Sequence, residues 1–98
     1  MNSSFEVDTA KVKEAARKIK AVASQVQDLA TQDVRSMQTL AESDLEGSTA
    51  QALQEVLGDL KSDIQKIAAG LNTIQRALST YAQKLEEKDA EMAAKIGG

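Results

Sequence analysis

The 98-residue chain contains no cysteine, histidine, proline or tryptophan. Without cysteine there is neither a disulfide framework nor a thiolate metal site, and without histidine the commonest metal ligand and general base is missing. Two aromatic residues, Phe5 and Tyr81, are too few for a large aromatic core. The sequence therefore predicts no enzymatic activity, no cofactor and no metal site.

Helix-forming residues dominate the rest of the chain. Ala, Leu, Gln, Glu and Lys are abundant, and the clearest break is an acidic turn with a glycine near the middle of the chain. We therefore expect an all-α fold in which residues 1–98 form a single antiparallel helical hairpin. The predicted bounds are about 8–41 for helix one, 42–47 for the turn and about 48–96 for helix two.

Local signals support both helix starts. Asp8 is a good N-cap for helix one, and Ser48 with Gln51 three residues later has the pattern of a capping box for helix two. Within helix one the apolar repeat is interrupted at Asp33 and continues from Val34 with a shifted phase. This slip predicts a local change in helix winding, of the kind called a stutter.

Helix two carries a sustained heptad pattern, in which apolar residues alternate by four and three positions. Such a pattern predicts a coiled-coil-like seam against neighbouring helices. The predicted core and dimer seam consists of Leu53, Leu57, Leu60, Ile64, Ile67, Leu71, Ile74 and Leu78, and the repeat continues through Tyr81 and Leu85.

The size of the core predicts a partner. A single helix pair buries one stripe on each helix, which is less apolar surface than an isolated small domain needs. Val56 and Ala68 widen the stripe of helix two, so we expect this helix to face more than one neighbour in a four-helix bundle. Gly58 and Gly70 beside the seam are either tolerated surface residues or points where another backbone approaches closely.

Charge is distributed unevenly along the chain. The net charge of −3 argues against nucleic-acid binding. Residues 9–41 nevertheless carry a net charge of +3, and most of their basic side chains lie in the first turns, where they oppose the helix dipole. We therefore expect the acidic residues from Glu86 to Glu91 to lie beside them in the hairpin. No stretch is apolar enough to predict insertion into a membrane.

The turn sequence Leu45-Glu46-Gly47, near the middle of a chain of about a hundred residues, resembles the WXG superfamily of small ESAT-like helical hairpins. Leu45 stands where that superfamily has tryptophan, which is similar to the LXG group of toxins and their small helical partners. The resemblance implies a non-enzymatic substrate or targeting partner of a type VII secretion system. It also implies export without a cleaved signal peptide, from a cytoplasmic pool.

The resemblance further implies an export signal on the C-terminal tail, where the superfamily has tyrosine followed four residues later by an acid. Tyr81 occupies the tyrosine position, but Leu85 follows at the fourth place and the acids Glu86 and Glu87 come next. A secretion ATPase would read this tail together with the partner. Alternatively, Tyr81 is a seam residue whose hydroxyl lies at the rim.

Several alternatives remain open at the level of sequence. Leu45 either closes the end of the bundle core or contacts a partner directly. The partner is either a second copy, a different helical hairpin or the helical region of an LXG toxin. A different class of function, a coiled-coil chaperone or adaptor that stays in the cytoplasm, would produce the same periodicity.

Overall fold

The computed structural model describes residues 8–97 as an elongated helical hairpin, 76 Å long and 19 by 14 Å across. The described residues contain no strand, so the predicted all-α hairpin is confirmed. The helical elements are α1 (Thr9–Asp28), a π-helical segment (Leu29–Val34), α2 (Arg35–Asp44) and α3 (Gly47–Gly97). The first three run on from one another and are called here the first arm; α3 returns antiparallel along it.

Asp8 caps the start of α1, as predicted. Its carboxylate accepts hydrogen bonds from the backbone N–H groups of Ala10 at 3.0 Å and Lys11 at 3.4 Å. The first N–H groups of a helix have no partner within the helix, so this carboxylate satisfies donors that would otherwise depend on water. The cap fixes the point at which the first arm begins.

The phase slip predicted at Asp33 lies within the π-helical segment. A π turn takes up one more residue than an α turn because its hydrogen bonds join residues i and i+5. The extra residue brings Val34 back to the inside of the hairpin, where it is 2% exposed. Thr31 and Ser36 donate hydroxyl hydrogen bonds to backbone carbonyls four residues earlier, at 3.2 and 2.8 Å.

The turn is shorter than the predicted span of 42–47. Helix α2 continues to Asp44, because the Leu45 N–H donates to the Ala41 carbonyl at 3.2 Å and the Ser43 hydroxyl donates to the Thr39 carbonyl at 3.2 Å. Helix α3 begins at Gly47, one residue before the predicted start. Gly47 has φ +66°, a left-handed conformation that glycine adopts without strain, and it allows the chain to reverse within two residues.

The core between the arms is thin and rich in alanine. Small side chains let two helices approach closely, but they bury little apolar surface each. Gln54 adds a polar tie near the turn, where its side-chain amide donates to the Gln38 carbonyl at 2.8 Å. Among the described residues, the buried apolar side chains are Ala16, Ala23, Ala30, Val34 and Ala41 on the first arm and Leu57, Ala68 and Ala82 on α3.

The arms pair along almost the whole length of the first arm. Near its start, Leu85 is half-buried and Glu86 forms an ion pair with Lys13. The ion pair places Glu86, the first of the acidic residues expected there, beside the basic start of α1. Residues 87–95 are exposed.

Candidate protein-binding face

The predicted seam of α3 divides into two sets that alternate along the helix. One set faces the first arm, and its best-covered member, Leu57, is 5% exposed. The other set faces away from the first arm, and Ile67 in this set is 56% exposed. The inner set is Leu57, Ile64, Leu71, Leu78 and Leu85; the outer set is Leu60, Ile67, Ile74 and Tyr81, with Leu53 half-buried near the turn.

A second row of side chains on α3 lies at the contact with the first arm. Lys61, Ala68, Gln75 and Ala82 lie between the members of the inner set at spacings of four and three, and all are buried or half-buried. The first arm is therefore centred on this second row and not on the predicted apolar seam. As a result, α3 has an apolar stripe that the hairpin itself does not cover.

The first arm has an uncovered apolar stripe as well. Val22 and Leu29 lie seven residues apart, close to two full helical turns, and both are nearly half exposed. Met37 follows eight residues after Leu29, and the π-helical segment takes up the additional residue, so Met37 stays in line with them. Leu40 lies one turn beyond Met37 and is exposed too. Because of the π segment, the buried residues and the exposed stripe each stay on one side of the first arm along its length.

Both stripes lie on the same side of the hairpin. The opposite side is a polar groove of about 460 Å³, lined by Lys20 and Gln27 of α1 and by Gln65 and Asn72 of α3, among others. Helical spacing places Val22 and Ile67 on the far side of the core from these residues. We call the uncovered side the apolar face: Val22, Leu29, Met37, Leu40, Val56, Leu60, Ile67, Ile74 and Tyr81.

The turn motif adjoins the apolar face. Leu45 is half-buried and lines an open apolar cavity of about 320 Å³ together with Met37, Leu40 and Leu53. Glu46 and Gly47 are exposed at the tip of the hairpin. Leu45 thus lies between the end of the core and the end of the apolar face, so both roles considered for it from the sequence are compatible with its position.

The residues of the predicted export signal lie on different sides of α3. Tyr81 belongs to the apolar face, with about half of its surface exposed. Glu86 pairs with Lys13, which lines the polar side, and Glu87 is exposed beyond it. The structure therefore does not bring Tyr81 and Glu86 onto one surface, as expected from a spacing of five residues on a helix.

The two glycines inside α3 have no close neighbour within the hairpin. A Cβ atom built on Gly58 or Gly70 would meet no atom within 4 Å. Gly70 lies beside Ile67 and Ile74 at the edge of the apolar face, whereas Gly58 lies toward the polar side. The hairpin itself thus gives no steric reason for glycine at either position.

Sequence reasoning missed the stripe on the first arm as a separate surface. Val22 and Leu29 belong to the same apolar repeat as Ile19 and Val26, and a helical repeat does not show which of its members the neighbour covers. One signal was available: Ala16, Ala23 and Ala30 recur every seven residues. Small residues at that interval mark the line along which another helix approaches most closely.

The described part of the chain contains neither a metal-binding cluster nor a membrane-spanning helix. Residues 8–97 contain no group of three or more histidine, cysteine, aspartate or glutamate side chains placed to hold a metal ion. Within the same residues, no helix is both long enough and apolar enough to cross a membrane.

A comparison with protein families decides the kind of protein to which this face belongs. The family model WXG100, described as proteins of 100 residues with WXG, matches residues 4–90. The chain belongs to the WXG100 family. Its members are small helical proteins secreted by type VII systems without a signal peptide; they are not known enzymes, and they typically dimerise with helical partners. No curated protein and no solved structure matched the chain.

Proposed function

We propose that this WXG100 protein is a substrate or targeting partner of a type VII secretion system and acts by docking a second helical hairpin on its apolar face. The observation that carries the proposal is the division of α3, in which the outer heptad set from Leu60 to Tyr81 remains exposed although it is as apolar as the inner set. Contiguous apolar surface of this length marks an interaction site on a soluble protein.

Covering this face would favour association. Complete burial of a large apolar side chain contributes about 1.5–3 kcal/mol, and the side chains of the face are roughly half exposed, so each retains about 1 kcal/mol to gain. The face has nine such residues on each hairpin. Their combined burial offsets the entropy that two hairpins lose on association.

The exposed tail of α3 supplies the surface that a secretion ATPase recognises in this proposal. Beyond Glu86 the helix passes the start of the first arm, and its acidic residues Glu87, Asp89 and Glu91 are exposed. Tyr81 and Glu87 lie on different sides of the helix because they are six residues apart, so the tail alone presents these two as separate features. A partner docked on the apolar face would cover Tyr81 and complete the recognised surface.

The experiment is a secretion assay in a bacterium with a type VII system, with and without its secretion ATPase. We expect the protein in the culture supernatant only when the ATPase is present. Ile67→Asp should prevent secretion, because a charge in the apolar face opposes docking. Gln65→Asp is the matched control on the polar side and should be secreted normally.

Two results would contradict the proposal. Secretion of Ile67→Asp at the level of the unchanged protein would show that the apolar face is not needed. Retention of the unchanged protein inside the cell, with an active secretion system, would favour the cytoplasmic chaperone or adaptor. The partner is identified by co-purification, with a second copy, a different helical hairpin and the helical region of an LXG toxin as the candidates.

A further inference from the structure

We infer that the polar side of the hairpin binds a short, extended peptide segment of another protein, with acidic residues at one end of the segment. This surface is separate from the apolar face, so the inference goes beyond the proposed docking function and does not rest on it. It follows from the shape, the charge and the hydrogen-bonding groups of two grooves that meet on this side.

The two grooves are continuous along the hairpin. The polar groove of about 460 Å³ follows α1 from Lys20 to Asp28. A second groove of about 530 Å³ continues it toward the start of α1, where Lys13, Arg17 and Lys20 line it, with Ser79 of α3. Lys20 lines both grooves, and together they are called here the long groove. From Lys13 to Asp28 it extends over about 22 Å, at 1.5 Å of helix rise per residue.

The charge of the long groove is positive at one end. Of the charged residues that line it, Lys13, Arg17 and Lys20 are basic and Asp28 is acidic, which leaves +2 in a chain whose net charge is −3. The basic residues recur at intervals of four and three, so they form a row along one side of α1. This row covers about 10 Å, at the end of the groove that lies away from Asp28. An acidic ligand is therefore favoured at that end.

The hairpin already places carboxylates against this row. Glu86 of α3 pairs with Lys13, and Glu14 pairs with Arg17 from the same helix. All four side chains are exposed, and exposed ion pairs contribute little, so a ligand can displace them. Lys20 forms no ion pair with another residue of the described range 8–97. Lys20 is therefore the cation that gains most from a carboxylate of the ligand.

Side-chain amides supply the hydrogen-bonding groups of the long groove. Each amide has both a donating NH₂ group and an accepting carbonyl. An extended peptide has backbone N–H and C=O groups that need such partners, whereas a helix satisfies its own. Gln54 shows this chemistry within the hairpin, where its amide donates to the Gln38 carbonyl at 2.8 Å. The amides that line the long groove are those of Gln27, Gln65, Asn72 and Gln75.

The length of the long groove defines the segment that fits it. An extended chain advances about 3.3 Å per residue, so about seven residues fill the groove and about three of them lie along the basic row. A nucleic acid fits less well, because it carries a charge at every nucleotide. Beyond Lys20 the groove is lined by neutral residues and Asp28, and the rest of the chain is acidic.

A peptide titration of the full-length protein tests the inference. The probe is a dye-labelled heptapeptide of three glutamates followed by alternating serine and glycine. We expect saturable binding by fluorescence anisotropy, and much weaker binding when glutamines replace the three glutamates. In ¹⁵N-labelled protein, the peptide should shift the side-chain amide signals of Asn72 and Gln75 and the backbone signal of Lys20. The backbone signal of Ile67 should stay unchanged.

Two charge variants distinguish the groove from the overall charge. Lys20→Glu should raise the Kd of the peptide about tenfold, because a charge-assisted hydrogen bond is lost. Lys18→Glu is the matched control: it changes the net charge equally, but Lys18 is two residues away and so on a different side of α1. At physiological salt it should change the Kd less than about twofold, since exposed charges are screened beyond about 8 Å.

A third variant changes the shape of the long groove without changing its charge. Ala69 lines the groove beside Asn72 and is exposed, so Ala69→Phe should keep the helical circular dichroism signal and weaken peptide binding. Ile67→Asp should bind the peptide with an unchanged Kd, because it alters only the apolar face. Loss of peptide binding in Ile67→Asp would contradict two separate surfaces, whatever its effect on secretion.

Four further results would overturn the inference. If Lys18→Glu weakened binding as much as Lys20→Glu, the net charge and not the groove would set the affinity. Signals that shift only on the apolar face would place the peptide elsewhere. Absence of saturable binding would exclude an acidic peptide. Tighter binding of a single-stranded oligonucleotide with the same number of charges would make a nucleic acid the ligand instead.

Discussion

Helix α3 contains two apolar sets with the same chemistry, the same spacing of seven residues and opposite surroundings. Leu57, Ile64 and Leu71 pack against the first arm, whereas Leu60 and Ile67 stay exposed three residues further along. The difference is set by the first arm, whose line of alanines lets it approach along one side of α3 only. Heptad periodicity thus measures how much of a helix is apolar, and not how many neighbours cover it.

The difference between the two sets is tested most strongly by placing an aspartate in each of them. Leu57→Asp should unfold the hairpin, because it buries a carboxylate in a core that has little apolar surface to lose. Circular dichroism should show loss of most of the helical signal. Ile67→Asp should keep most of that signal and lose only the dimer, because its side chain already reaches solvent.

If Leu57→Asp and Ile67→Asp lost helical signal equally, the inner and outer sets would be energetically equivalent. That result would mean that the hairpin does not fold until its outer face is covered. The inner set would then not be the one that folds the hairpin, nor the outer set the one that binds a partner.

Deleting one residue tests whether the π-helical segment keeps the two sets in phase. Deletion of Thr31, which is exposed, removes the additional residue and leaves the buried positions of the first arm at regular spacings of four and three. We expect the melting temperature to stay within a few degrees of the unchanged protein. Deletion of exposed Ser24 should abolish cooperative thermal unfolding, because it rotates the start of α1 by about 100° relative to the rest.

Substitutions on the first arm test whether its line of alanines determines how closely the arms approach. Ala30 is 0% exposed, so Ala30→Leu should force the arms apart and lower the free energy of unfolding by about 1–3 kcal/mol. Ala21 is exposed on the same arm, and Ala21→Leu should change stability little. Thermal or urea unfolding of both variants measures the difference. Equal stability of the two would contradict a closely packed alanine line.

A smaller effect is expected where the hairpin begins. Asp8→Ala removes the carboxylate that accepts two backbone N–H bonds and should lower stability by about 1 kcal/mol. Asp8→Asn retains an accepting oxygen and should lose much less. Urea titration of the two variants provides the measurement, and an equal loss for both would assign the effect to charge and not to the cap.

The sequence predicted the parts of the fold that depend on local chemistry. The cap at Asp8 was predictable because its carboxylate bonds to backbone N–H groups only two and three residues later. The slip at Asp33 was predictable because it interrupts a regular apolar repeat. The division of the seam was not predictable, since it depends on which side of α3 the first arm occupies. The length of the turn was not predictable either, because it depends on Asp44 remaining helical next to Leu45.

The most direct test of the account is the molar mass of the purified protein in solution, measured by light scattering across a concentration series together with Ile67→Asp. We predict twice the chain mass of 10.5 kDa for the unchanged protein and a single chain mass for the variant. A dimer that Ile67→Asp leaves intact would contradict docking on the apolar face, and a folded monomer at every concentration would exclude a second copy as the docked hairpin.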